Sequence, residues 1–333
     1  MNGSSRKELS ETKNPSSEED DEMLLHEEQR SCITYMFDRR FQNPDAATCW
    51  LNSCLQLILI GIDHFRYPPN FSSPLGNELF KLKNAGQNLD PTPIKDIIMK
   101  EEETRKDRNP KAHFLDLANG QQCVRDFFVA LTENQQAWPD VFDIFKFQLS
   151  EETVCGNRRC RKESSSTHKP QIYLELDMPP KGSDLSKFVE EHLNSCFSVE
   201  DYHCEAEYGG CGARMIAQHS NIIHSTTDKH FLIVVLRRVV DEYYGIAINN
   251  DEIRATGDVN ITDRNGNEAE YRPIAVIEHK GRINSLGETS GHYLCDIQTK
   301  EGNWFRTNDN MKPVHIQVES VSQHCAVVMY CKR

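Results

Sequence analysis

An α+β protein is what the sequence predicts, on three observations. Segments with helical spacing come first, β-branched or alternating segments come later, and the two kinds do not alternate as βαβ units would. At 333 residues and 38% hydrophobic content the chain can bury a real core, and it contains no internal repeat.

The elements follow in order. Residues 1–30 are rich in Ser, Glu and Asp and nearly free of apolar residues before Met23, so they read as a disordered acidic tail. Composition becomes globular from about Phe41. Cys49–Ile62 is apolar on almost every side, with Asn52 and Gln56 its main polar interruptions, and predicts a helix buried all round. Pro91–His113 reads as a short helix entering a charged loop. Gln121–Gln136 places Val124, Phe127, Phe128 and Leu131 on one helical face. After Phe142, strands are predicted at Ile172–Pro179, His230–Val240, Tyr271–Gly281, Gly291–Thr299 and His324–Arg333.

Bulk properties narrow the function. A net charge of -13 lacks the basic footprint of a nucleic-acid binder. No apolar run approaches the roughly 18 residues of a membrane span. The polar start "MNGSSRKELS" is not a secretory leader, so cytoplasm or nucleus is the expected location. In a reducing compartment the twelve cysteines are metal ligands, catalysts or core thiols rather than a disulfide framework.

Three groups of residues carry chemistry. Cys49 opens the apolar helix, where N-terminal N–H groups and the helix dipole favour a thiolate; it is either a nucleophile or a buried thiol, and Cys54 lies inside the same helix as core. A cysteine nucleophile needs a base and a group to orient it. Thirteen histidines are available, and His292 is set apart by "GETSGHYLCDIQTKEGNWFRTNDN". That segment reads as a hairpin with a turn at Lys300–Asn303, which brings Asn308 and Asp309 back beside His292; a surface histidine near a polar turn is the other reading. Lastly, "VCGNRRCRK" and "YHCEAEYGGCGAR" hold Cys155, Cys160, Cys204 and Cys211. Two such knuckles suggest a tetrahedral zinc site, although their C-x4-C and C-x6-C spacings exceed the usual two to four residues. Reduced thiols are the alternative, with His203 as a substitute ligand.

Together these pieces resemble the ubiquitin-specific protease family, in order, from about Phe41 to Arg333. "ATCWLNSCLQ" resembles its cysteine box and "NGQQCVRDFF" its glutamine-rich box. The two cysteine knuckles stand where its zinc-ribbon fingers do, and "FLIVVLRRV" is similar to the strand before the palm. "AVIEHKG…SGHYLCDI…GNWFRTNDNMKPV" looks like its histidine box. The resemblance implies a papain-like fold with a helical thumb (about 41–145), zinc-ribbon-like fingers (about 146–228) and a β-rich palm (about 229–333), together a catalytic domain over 31–333. It implies a monomeric deubiquitinase that cleaves after the C-terminal glycine of ubiquitin. Cys49 would be the nucleophile, His292 the base, Asn308 its orienting residue and Asp309 a polar neighbour. Gln122, Asp126, Gly291 and Tyr293 would hold the substrate tail, and Cys155, Cys160, Cys204 and Cys211 a structural zinc.

The sequence departs from the family pattern at the oxyanion hole and along the tail channel. Pro44 stands where an asparagine oxyanion donor is usual, which leaves Asn43, Asn52 or a backbone N–H to substitute; Ala46 replaces a usual glycine. Cys123 replaces an aspartate that would face a tail arginine, and Arg125 replaces a common histidine. These changes open two alternatives: the same chemistry on SUMO or another ubiquitin-like modifier, or a weakly active ubiquitin-binding scaffold.

Overall fold

The computed structural model describes residues 38–333 other than 44–45, 66–68, 109–114, 116–121, 228, 243–244, 284–288 and 322. The acidic tail and Pro44 therefore lie outside the described residues. The first part of the chain is helical: after a short strand β1 (Arg40–Phe41) come α1 (Cys49–His64) and α2 (Pro74–Asn84). They are followed by β2 (Asn88–Leu89), α3 (Thr92–Arg108), α4 (Val124–Glu133) and α5 (Pro139–Phe145). Strand structure then takes over with β3 (Leu149–Cys155), β4 (Glu163–Thr167) and β5 (Leu174–Asp177). Helix α6 (Leu185–Asn194) precedes β6 (Cys196–His203), β7 (Arg214–Ile223) and β8 (Phe231–Arg237). A hairpin of β9 (Val239–Glu242) and β10 (Gly245–Ile248) leads to β11 (Val259–Thr262), β12 (Glu268–Ile283) and β13 (Thr289–Gln298). The chain closes with β14 (Trp304–Thr307), β15 (Val314–Ile316) and β16 (Cys325–Lys332).

Helix α1 is buried as its sequence predicts, from Cys49 through Asp63. It packs on β12 and β13 and carries α4 on its flank. Helix α3 is longer than expected, because "KEEETRKDR" continues the helix where a charged loop was read. Glu, Lys and Arg are good helix formers, and Arg105, Lys106 and Arg108 suit the negative end of its dipole.

The palm is an eight-stranded sheet, ordered β15-β14-β13-β12-β16-β8-β5 with β11 paired to β12; only the β5–β8 pair is parallel. Both of its faces are covered, which explains the unbroken apolar run of β8. Phe231, Ile233 and Val235 pack with the thumb helices, while Leu232, Val234 and Leu236 join a second core that includes Leu185, Val189 and Leu193 of α6. The fingers are a four-stranded sheet, β4-β3-β7-β6. Segment 146–228 is not all fingers: β5 leaves to join the palm sheet, and α6 packs behind it. Among the described residues no helix is long and apolar enough to cross a membrane.

Candidate active site

The hairpin read from sequence forms as β13 and β14, with Cys295 opposite Thr307 and Gln298 opposite Trp304. Its turn is closed by Gly302, whose φ of +89° a side chain would resist. Arg306 on β14 grips Asp296 on β13 with two hydrogen bonds of 2.8 Å and pins the strands. Beyond the paired stretch, His292 and Asn308 meet: Nε2 lies 2.7 Å from Asn308 Oδ1. An amide oxygen only accepts, so Nε2 carries the proton and Nδ1 is left for the Cys49 thiol. Asn308 Nδ2 points the other way, towards Met311 Sδ at 3.3 Å.

Cys49 is the first residue of α1 and is 2% exposed. The hydrogen bond to the Cys49 thiol is the main cause raising the His292 pKa to about 9. Burial opposes it, while Asn308 and the charge of Asp309 add to it. An imidazole held that high remains protonated at neutral pH beside the thiol, which is the setting a reactive cysteine needs. Cys54 and Cys295 differ, because complete burial pushes both thiols well above their ordinary range.

Asp309 ties the segment before α1, and α1 itself, to the end of the hairpin. Its carboxylate accepts from Asn43 Nδ2 at 2.8 Å and Asn52 Nδ2 at 2.7 Å, and its carbonyl accepts from the Phe41 N–H at 2.9 Å. Asn43 Oδ1 in turn accepts from the Thr48 N–H and Oγ1–H, bracing the turn that leads into α1. Ala46 within that turn has a φ of +53°, the left-handed region that explains why a glycine is natural there. Both amide hydrogens of Asn52 are spent, one on Asp309 and one on the Gln42 carbonyl at 3.2 Å. Among the described residues Asn43 has one amide hydrogen left.

The family description "Ubiquitin carboxyl-terminal hydrolase" matches residues 40–330. The chain belongs to that family. Ubiquitin carboxyl-terminal hydrolase 17 of Arabidopsis thaliana is 27% identical over 165 residues, which is 48% of this chain and 22% of that protein. The match thus spans less than a quarter of the relative's length. Two solved structures share the fold over 94% of this chain and 75% of theirs, both at a TM-score of 0.62. One is the SAGA Ubp8/Sgf11/Sus1/Sgf73 DUB module bound to ubiquitin aldehyde, at 18% identity; the other is such a module bound to monoubiquitin, at 20%. The α+β fold of thumb, palm and fingers is that of a cysteine-type ubiquitin carboxyl-terminal hydrolase.

In this ubiquitin carboxyl-terminal hydrolase domain Gly291 and Tyr293, two of the residues expected to hold a tail, flank His292 on β13. Gly291 pairs with Gly281 across β12 and β13, and a Cβ on either would collide with the His279 ring. Tyr293 stacks on that ring at 4.3 Å and 17°. Burial, with the charge of Arg238 adding, lowers His279 to about 4, so the ring is neutral at pH 7. Gln122 is buried just before α4, and Cys123 caps that helix against Tyr293, its thiol raised by burial. Asp126 is raised by burial, with Arg125 opposing the shift.

The cation gained at Arg125 is not free. Its Nε lies 2.6 Å and its Nη2 3.2 Å from the Glu175 carboxylate on β5, and Arg237 Nε reaches the same carboxylate at 3.1 Å. The sequence reading missed Glu175, Arg237, Arg238 and His279. "IEHKG" held the only available signal, a histidine two residues before a glycine in an otherwise apolar strand.

Cys155, Cys160, Cys204 and Cys211 converge with all four sulfurs within 4.8 Å of one another. The Cys155–Cys211 and Cys160–Cys204 separations of 3.9 and 3.8 Å match the edge of about 3.8 Å expected for a tetrahedron with Zn–S near 2.3 Å. The wide spacings are accommodated by Gly209 at φ +82° and Gly212 at φ +70° in one knuckle and Arg161 at φ +45° in the other. Such a cluster can bind a metal ion; His203 belongs to β6 and is not one of the four.

Proposed function

We propose that the chain is a thiol-dependent hydrolase of the bond after the C-terminal glycine of ubiquitin in ubiquitin conjugates. The observation that carries this reading is His292 held between the Cys49 thiol and Asn308. Cys49, as thiolate, attacks the glycine carbonyl to form a tetrahedral adduct. The His292 imidazolium then gives its proton to the departing lysine amine, leaving a thioester. Water, deprotonated by the now neutral His292, attacks that thioester and releases the glycine carboxylate and the thiol. Asn308 keeps the imidazole in the tautomer these steps need. The Cys49 backbone N–H, which has no partner within the helix, and the remaining amide hydrogen of Asn43 supply the oxyanion donors. Asn52 supplies none in this geometry.

The four cysteines fit zinc, which would join the two finger knuckles and take no part in the bond cleavage. One zinc per chain is expected by atomic emission, and Cys204→Ser should remove it while protection from hydrogen exchange is lost in β3 and β7 but kept in β12 and β16. Substrate partners are ubiquitin conjugates, with cytoplasm or nucleus as the place of action.

A ubiquitin propargylamide probe tests the main reading. An adduct in the wild-type chain that is absent in Cys49→Ala is expected. Ubiquitin binding without any adduct would instead favour the scaffold. A second reading, the same chemistry on a modifier lacking tail arginines, is favoured by Cys123, which puts a raised thiol where a carboxylate would meet an arginine.

A further inference from the structure

Cleaving a conjugate brings two proteins to His292: the modifier, and the protein whose lysine amine departs. Side chains alternate along a strand, and residues opposed across a ladder share a face. Tyr293 and its partner His279, beside the paired glycines Gly281 and Gly291, project from one face of β12 and β13. His292 projects from the other face, and so does Asp296 further along β13. Asp296 opposes Arg306, and Arg306 opposes Val314. Val314 of β15 therefore shares the face of His292, not that of Tyr293.

This face carries exposed apolar side chains next to the catalytic groups. Met311 Sδ lies 3.3 Å from Asn308 Nδ2, against the amide that holds His292, yet Met311 is 57% exposed. Val314 is 59% exposed and Val318 47%. Val318 opens a 3₁₀ turn, Val318–Ser320, which is drawn back over this face by the hydrogen bond from Arg306 Nη2 to the Ser320 carbonyl at 3.0 Å. Seven large apolar side chains are exposed among the described residues, and these three fall within eight consecutive positions. Single exposed apolar residues are ordinary, whereas a group of them at the rim of a reacting centre marks a contact surface. β15 ends the strand order on this side, so no further strand covers it among the described residues.

We propose that Met311, Val314 and Val318 form a docking surface for the lysine-bearing protein, and that the surface favours acceptors with apolar side chains beside the modified lysine. This rests on the hydrolase reading above and deepens it by naming the chemistry on the leaving side of the bond. Continuity with the reacting groups identifies the occupant. The departing amine takes its proton from His292, so the protein that carries it must lie over the rim on which Met311 touches Asn308.

The test uses ubiquitin joined by an isopeptide bond to the lysine of two synthetic peptides, one with Leu and one with Ser on both sides of that lysine. Wild-type kcat/KM is expected to be about tenfold higher for the Leu-flanked conjugate. The double variant Val314→Ser with Val318→Ser is expected to bring the two conjugates to within about twofold. The ratio is read within one preparation, so a loss of folded enzyme does not move it. Should the double variant not fold, Val318→Ser alone is expected to lower the ratio part-way. Equal wild-type rates for the two conjugates, or an unchanged ratio in the folded double variant, would overturn the assignment while leaving the hydrolase reading intact. Self-association of the wild-type chain that the double variant abolishes would give the surface to a second copy. A photocrosslinker at position 314 that captures residues 1–37 would give it to the chain's own N-terminal segment. Either result would also overturn it. No cleavage of either conjugate and no adduct with ubiquitin propargylamide would overturn both readings.

Discussion

Replacing His292 with alanine is expected to lower kcat/KM by about 10³–10⁴, since in the proposed mechanism the same ring activates the thiol, protonates the leaving amine and deprotonates water. The wild-type pH profile carries a more specific signature. His292 is raised to about 9 chiefly by the Cys49 hydrogen bond, so the imidazolium persists through neutrality and is lost above that value. The alkaline limb of kcat/KM is therefore expected near pH 9. In Cys49→Ala the main cause of the shift is gone, and the His292 pKa followed by NMR should fall towards 6.5. The stability linkage has the same sign. A histidine raised in the folded state contributes fully below its unfolded pKa of about 6.5, and that contribution fades as pH rises through 9. A limb that stays near pH 7 would show that the thiol and imidazole do not interact as the geometry places them.

Asp309→Ala is expected to cost about 10²–10³ in kcat/KM, mostly in kcat. This side chain is not assigned to the reacting atoms, and its effect is one of positioning. Removing its carboxylate strands the Asn43 and Asn52 amides, each at a desolvation cost of about 1–3 kcal/mol. It also frees the segment before α1 from the end of β14, so that Cys49 and His292 are no longer held by one anchor. Asp309→Asn separates charge from shape. It keeps the volume but turns one oxygen into a donor facing a donor amide, so it should recover at most part of the activity. Equal kcat in wild type and Asp309→Ala, measured on a fluorogenic ubiquitin amide, would remove the clamp from the mechanism.

How far these features could be read in advance depended on the element. Helix α1 and the His292 hairpin were legible because their residues are constrained by burial and by turn chemistry at once. The finger strands were not. β4 is "ESSST", and β6 is exposed along most of its length, so neither shows the alternation by which a half-buried strand is recognised. The bracket around Asp309 was invisible for another reason: its partners lie 266 and 257 positions away in the chain. Asn52 looked like a free donor in the sequence, and only the distances show both its hydrogens engaged. Arg238 follows an apolar strand in which a charged residue reads as solvent-facing, although the loop at 249–251 folds over it.

The departure of β5 and α6 to the palm, between the two halves of the finger sheet, bears on the order of events during synthesis. Cys155 and Cys160 emerge well before Cys204 and Cys211, and the segment between them has its parallel partner in β8, which is made later still. A nascent chain ending before Cys204 has only half of the cysteine cluster. One ending before Phe231 leaves β5 without its neighbour. Closing the knuckles and seating β5 are thus long-range events that share one stretch of chain, and each restricts the search left to the other. Truncation within the finger region should therefore disturb the palm as well, and the fingers cannot be excised as a single contiguous piece.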